Sequence, residues 1–209
     1  MAKVIKRNID AGLAIVIGLF LVFVSIIGVN KLIEIKQVDA ATTDTAGITV
    51  SATVAQTISI NVSSSALDLG TLAVGSVSVT STNFTVKTNA ANGYTVTIEG
   101  YGDGSTGGLY GTTTSYLVTS TATTLSAGTE GYGAQGTSTN PAKLKIYSAY
   151  DYVGTDQVGA LATTPANFAS SSSPTTGDTG GLYLKAAISS VTPADTYNDY
   201  ITLTATGSF

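Results

Sequence analysis

The chain of 209 residues contains no cysteine, no histidine and no tryptophan. Without cysteine, disulfide bonds and thiol chemistry are excluded. Without histidine, the protein lacks the usual general base of a serine hydrolase and the commonest zinc ligand. A glycosidase that uses two carboxylic acids is the only common class of enzyme that this composition leaves open. The acidic side chains are expected to be solvated, so the sequence predicts a protein that is not an enzyme and has no cofactor.

Charged residues are also scarce, at 11% of the chain. From residue 41 onward, four lysines stand against ten acidic residues, which gives a formal charge of −6. A nucleic acid would require a cationic stripe on the protein surface, and four scattered lysines do not form one. Nucleic acid is therefore not an expected partner.

The longest apolar run lies near the N-terminus. A short basic lead precedes residues 11–29, in which Ser25 is the only polar side chain. Nineteen helical residues rise about 28 Å, which suits either an export signal or a helix that spans the membrane. Residues 1–40 are therefore predicted to be a signal peptide or an N-terminal membrane anchor, with residues 11–29 in the membrane if the segment is not cleaved.

Two cleavage points are compatible with this leader. The residues around Ala40 suit signal peptidase, which would cut after it. Gly12 follows the basic lead and resembles the cleavage point of a type IV pilin or archaellin, although Ile17 stands where such proteins have a glutamate. Cleavage after Ala40, cleavage after Gly12 and retention of the helix remain open. All three place residues 41–209 outside the cytoplasm, at the cell surface or in the extracellular space.

From Ile48 onward, apolar and polar residues alternate, and a period of two predicts strands. The clearest case has Ile58, Ile60 and Val62 on one face. The same pattern recurs in residues 83–87, 94–99, 182–188 and 201–206. The pair Asn92-Gly93 favours a tight turn, so residues 83–100 are predicted to form a hairpin.

No segment after Thr42 has a helical apolar pattern over ten residues, so the exported part is predicted to be all-β. A sheet with one polar face and one apolar face requires a second sheet to cover the apolar one. We therefore expect an immunoglobulin-like or pilin-like β-sandwich of about seven to nine strands, preceded by the N-terminal hydrophobic helix. Residues 41–209 are predicted to form one domain, with a loop-rich middle at residues 101–180.

Three stretches are similar to known families. Residues 67–72 (LDLGTL) and 88–98 (TNAANGYTVTI) resemble uncharacterised exported β-sandwich surface proteins of small-genome episymbiotic bacteria. Residues 192–209 fit the same family and are similar to the closing strand of spore coat protein U and of chaperone–usher pilin domains. Asp195 departs from the pilin-like pattern, which has glycine there. The resemblance implies surface structures, fibres or adhesion, and it supplies no catalytic residues.

Eleven tyrosines are a further notable feature of the composition. Tyrosine has a flat apolar ring and a polar tip, which suits stacking on sugars or packing against a protein partner. Tyr147, Tyr150 and Tyr152, which flank Asp151, are the predicted binding surface.

Two aspartates lie in glycine-containing loops, and their oxygens are candidate calcium ligands. Neither the Asp103 loop nor the Asp178 loop has the spacing of acids that an EF-hand requires. No metal is therefore expected, and calcium binding in these loops is left open.

The sequence as a whole predicts a structural or adhesive surface protein, with a fibre or pilus-like subunit as one form. Residues 42–54 form an alternating segment that is expected to pair with the edge strand of a neighbouring copy. The alternative prediction is an extracellular carbohydrate-binding module, in which the tyrosine-rich loops bind a glycan of the host cell or of the envelope.

Overall fold

The computed structural model describes residues 43–152 and 154–209. The predicted leader at residues 1–40, its span at residues 11–29 and both cleavage points lie outside these ranges. Within them, no helix is long and apolar enough to cross a membrane. The chain divides between Ser51 and Ala52, and Ala52–Phe209 forms one compact unit.

The described part of the chain is all-β, as the alternation predicts. It contains thirteen strands: β1 (Ile58–Val62), β2 (Ser78–Thr88), β3 (Tyr94–Gly100), β4 (Gly108–Gly111), β5 (Leu117–Thr119), β6 (Thr123–Thr124), β7 (Gly131–Ser138), β8 (Lys145–Ile146), β9 (Gln157–Val158), β10 (Ala166–Ser171), β11 (Thr175–Ala187), β12 (Tyr197–Asn198) and β13 (Ile201–Gly207).

These strands form two four-stranded sheets and two smaller ones. The larger sheets have the orders β1-β2-β11-β7 and β13-β3-β10-β8, and the smaller ones are β12-β4-β5 and β6-β9. All of these pairings are antiparallel. The two larger sheets contain eight strands. The five short strands of the smaller sheets raise the number of strands in the described part of the chain to thirteen, above the predicted seven to nine. Strands of two to four residues are too short to produce a visible alternation in the sequence.

The two larger sheets share one apolar core. Tyr94, Val96 and Ile98 of β3 alternate with polar residues and are fully buried. The ring of Phe84 in β2 lies 5.7 Å, centroid to centroid, from the ring of Phe168 in β10. Because β2 and β10 belong to different sheets, this aromatic contact joins the inner faces of the two sheets.

The predicted hairpin over residues 83–100 is wrong. β2 pairs with β1 and β11, whereas β3 pairs with β13 and β10, so the turn between them takes the chain from one sheet to the other. The Gly93 N–H closes this turn on the Ala90 carbonyl at 3.0 Å, and Gly93 has a φ of 76°. Alternation shows which face of a strand is buried, but it does not show which strand is the neighbour.

The loop-rich middle contains several of the short strands. The strands expected near residues 116–120 and 132–136 are present as β5 and β7. The strand expected over residues 144–150 is reduced to the two residues of β8. Leu144 and Tyr150 are nevertheless buried, which places both ends of that segment in the core. Both ends of the segment therefore contribute to the core, while the backbone between them is mostly irregular.

Candidate binding groove

One side of the molecule is bounded by two edge strands. In the part of the chain that the structure describes, β1 pairs only with β2, and β13 pairs only with β3. The outer N–H and C=O groups of β1 and β13 therefore have no strand partner, and such edges are able to accept a further strand.

A groove of about 1040 Å³ opens between these edges. Its apolar lining includes Ile60 and Val62 of β1, Leu182 and Leu184 of β11, and Leu203 of β13. All five side chains belong to the main hydrophobic cluster or pack against it. The groove therefore gives access to the core between the two larger sheets.

The loop between β1 and β2 forms one wall of the groove. Leu67, Leu69 and Leu72 line it and pack against the main core. The loop contains no strand, and Asp68 Oδ1 accepts a hydrogen bond of 2.7 Å from the Gly70 N–H. These leucines come from the LDLGTL stretch of the resemblance, and here they provide apolar contacts in place of a regular strand.

A polar pair, Asp199 and Tyr132, also lines the groove. Asp199 Oδ1 accepts hydrogen bonds of 2.8 Å from the N–H groups of Gly102 and Tyr200, whereas Asp199 Oδ2 is buried and has no hydrogen-bond partner. Burial raises the pKa of Asp199, and the backbone hydrogen bonds from Gly102 and Tyr200, which favour the carboxylate, do not fully offset it. Burial, followed by the charge of Asp199, raises the pKa of Tyr132 well above its ordinary value. A buried carboxylate oxygen without a donor is a destabilising feature of the folded protein.

Residues 188–196, which border the groove, are fixed at one end by Glu130. Its carboxylate accepts hydrogen bonds from the hydroxyls of Tyr116 at 2.8 Å, of Ser189 at 3.0 Å, and of Thr192. Burial raises the pKa of Glu130, but these three hydrogen bonds together hold the pKa below its ordinary value. The same contact to Glu130 raises the pKa of Tyr116.

The other end is fixed by Asp195. One carboxylate oxygen accepts from the Thr114 N–H and hydroxyl, both at 2.7 Å, and the other accepts from the Thr196 N–H at 2.7 Å. A further bond of 3.0 Å comes from the Thr113 N–H. These bonds, led by that from the Thr114 backbone, hold the pKa of Asp195 well below its usual range. The aspartate that replaces glycine in the pilin-like pattern thus binds the loop between β4 and β5.

The structure divides the predicted tyrosine surface. Tyr147 and Asp151 are exposed and Tyr152 is partly buried, but the side chain of Tyr150 is only 3% exposed. The Tyr150 hydroxyl donates to the Ala160 carbonyl at 2.9 Å, and its ring packs edge-on against Phe168 at 5.3 Å. Burial raises the pKa of Tyr150. Tyr150 is therefore a core residue and is not accessible to a ligand.

The two candidate calcium ligands, Asp103 and Asp178, accept hydrogen bonds from the protein. Asp103 Oδ1 accepts from the Ser105 and Thr106 N–H groups at 2.8 and 2.7 Å, and these bonds lower the pKa of Asp103. Asp178 is buried in β11 and accepts from the Tyr94 hydroxyl at 3.1 Å and the Thr175 hydroxyl at 2.9 Å. Among the described residues, no group of three or more acidic side chains is arranged to hold a metal ion.

The segment before β1 is exposed and has no strand. Residues 43–57 contain no regular structure, and the side chains of Ile48, Val50 and Val54 are 89%, 87% and 83% exposed. The sequence predicts a strand-forming segment here. In the structure, its apolar side chains are exposed and its backbone pairs with no strand.

Comparison with the models of known protein families finds no match for this chain, and comparison with curated protein sequences finds none.

Proposed function

We propose that the protein is a non-enzymatic surface protein whose exported part is a pilin-like β-sandwich, and that copies associate when residues 48–54 of one copy enter the groove of another. The observation that supports this most directly is that an exposed alternating segment and an open groove occur in the same chain.

The chemistry of the segment fits insertion. Residues 45–57 contain no charged side chain, so none would have to be desolvated in the groove. Ile48, Val50 and Val54 share one parity, so in a strand they would face the same side. Burial of each such side chain contributes about 1.5–3 kcal/mol relative to full exposure.

The groove offers what an inserted strand needs. A segment of seven residues would extend about 23 Å as a strand, and it would run past Ile201, Thr202 and Leu203, the residues of β13 that line the groove. Its backbone would pair with the free outer edge of β13, and its apolar side would cover Leu182, Leu184 and Leu203. Insertion would cover the apolar lining of the groove.

The resemblance to exported surface proteins and to pilin closing strands supports a structural or adhesive role on independent grounds. The rival prediction, a carbohydrate-binding module built on residues 147–152, is weakened because Tyr150 belongs to the core.

The test uses the full chain in mild detergent and measures its oligomeric state by sedimentation and electron microscopy. The wild-type protein is expected to associate with increasing concentration, and Val50→Glu to remain monomeric, because a buried carboxylate would be strongly unfavourable in the groove. Val79→Glu is the matched control, since Val79 is also an exposed valine and does not line the groove. It is expected to associate like the wild type.

Two results would overturn the proposal. One is a wild-type protein that stays monomeric at every concentration, and the other is a Val50→Glu variant that associates as well as the wild type.

A further inference from the structure

Tyr101 and Tyr200 are the two most exposed aromatic residues of the described chain, at 64% and 73%. The Tyr101 N–H donates to the Tyr200 carbonyl at 3.0 Å, so the two residues extend the β3–β13 pairing by one position beyond Gly100 and Ile201. Directly opposite residues of antiparallel strands have Cβ atoms about 5 Å apart. Tyr101 and Tyr200 are therefore backbone neighbours across the two strands, and both side chains are exposed.

The pair continues into a row of polar side chains. Gly100 and Ile201 face inward, so Tyr101, Tyr200 and the next residues of the same parity lie on the outer face of the sheet. Glu99 is opposite Thr202, and the following outward pairs are Thr97 with Thr204 and Thr95 with Thr206. All of these side chains are partly or fully exposed, and successive rows lie about 7 Å apart along the strands.

The backbone of the aromatic pair is held by a single carboxylate. Asp199 Oδ1 accepts from the N–H of Tyr200 and from the N–H of Gly102, the residue after Tyr101. The backbone that carries both tyrosines is thus fixed before any ligand arrives, which reduces the part of the ordering cost of binding that comes from the backbone.

We propose that this outer face, formed by Tyr101, Tyr200, Glu99 and Thr202, binds a neutral polysaccharide chain. A pyranose ring has an apolar C–H face that would lie on the two tyrosine rings, and the hydroxyls of the next sugar would reach Glu99 and Thr202. Tyrosine offers a large rigid contact area with a polar tip, which suits such a mixed surface.

The charges of the face select the ligand class. Glu99 and Asp103 lie within two residues of Tyr101, and β3 and β13 contain no lysine or arginine, so an anionic polymer would be repelled. The centre of a protein interface is depleted in charge and largely apolar. The apolar area of this face is limited to two rings beside a row of hydroxyls, which suits a carbohydrate better than a protein partner.

The test measures binding of the full chain, in mild detergent, to microcrystalline cellulose, chitin and insoluble xylan by depletion from solution. The wild type is expected to bind at least one of them. The double variant Tyr101→Ala/Tyr200→Ala is expected to lose at least tenfold in affinity, because both stacking faces are removed. Tyr101→Phe/Tyr200→Phe keeps the rings and is expected to retain most of the affinity.

Tyr183→Ala, which removes a partly exposed tyrosine from the other larger sheet, is the control and is expected to bind like the wild type. Absence of binding to all three polysaccharides would overturn the proposal, as would loss of binding in Tyr147→Ala without loss in the double alanine variant. A double variant that alters the oligomeric state instead of polysaccharide binding would identify the pair as a protein contact and would also overturn it.

Discussion

Asp199 and Tyr132 both line the groove, and the Asp199 Oδ2 atom is buried with no donor within 3.5 Å. Its Oδ1 atom, by contrast, accepts two backbone N–H groups at 2.8 Å. One carboxylate therefore stabilises the backbone with one oxygen and destabilises the folded state with the other.

Asp199→Asn is expected to raise the free energy of unfolding at pH 7 by about 1 kcal/mol. The amide oxygen keeps both backbone hydrogen bonds, while the amide N–H₂ removes the buried charge and donates toward Tyr132. Urea denaturation of both proteins at pH 7 checks this. A less stable variant at pH 7 would show that the charge of Asp199 is favourable.

The same substitution has a pH dependence whose sign follows from the raised pKa of Asp199. The folded protein binds this proton at a higher pH than the unfolded chain, so Asp199 is least favourable at neutral pH and becomes less unfavourable as the pH falls through its folded pKa. The stability difference between Asp199→Asn and wild type is therefore expected to shrink toward pH 4. If this stability difference stayed constant from pH 7 to pH 4, the folded-state pKa of Asp199 would not be raised.

Phe168→Ala is expected to destabilise the protein by about 3–5 kcal/mol. Phe168 is fully buried and contacts Phe84 in the other larger sheet and Tyr150 in the middle segment. The control is Phe209→Ala, because Phe209 is 45% exposed and its loss is expected to cost much less. Equal effects in the two variants, measured by urea denaturation, would show that Phe168 does not join the sheets.

Tyr94→Phe is expected to cost about 1–3 kcal/mol, because it leaves Asp178 Oδ2 buried without its donor. Burial and the Asp178 carboxylate together raise the pKa of Tyr94, so the hydroxyl is protonated and donates across the neutral range. Tyr147→Phe, which changes an exposed tyrosine, is the comparison and should leave the denaturation midpoint unchanged. If Tyr94→Phe has the same denaturation midpoint as the wild type, the hydrogen bond from Tyr94 to Asp178 does not stabilise the protein.

The alternation of Ile58, Ile60 and Val62 was sufficient to predict β1 and its buried face, because period-two patterns report burial directly. The partner of each strand was not predictable in this way. Asn92-Gly93 indicated a hairpin, yet β2 and β3 belong to different sheets that face one core. Their placement depends on pairing with strands up to about a hundred residues away in the sequence.

The candidate surfaces show the same limit. Tyr150 and Tyr152 look alike in the sequence, and only long-range packing against Phe168 makes Tyr150 a core residue. Tyr101 and Tyr200 are nearly a hundred residues apart, so their adjacency follows from the β3–β13 register and has no local signal. The exposed segment at residues 48–54, in contrast, was visible from its own pattern.

The measurement that tests the central proposal most directly is a cysteine cross-link between two copies. The chain has no cysteine, so Val50→Cys in one copy and Leu203→Cys in another introduce the only thiols. When the two single variants are mixed and oxidised, we expect a heterodimer through a disulfide, because the inserted segment would lie against β13. Thr176→Cys, an exposed position outside the groove, is expected to give no comparable product with Val50→Cys. Equal cross-linking of Val50→Cys to both partners, or to neither, would contradict insertion of this segment into the groove.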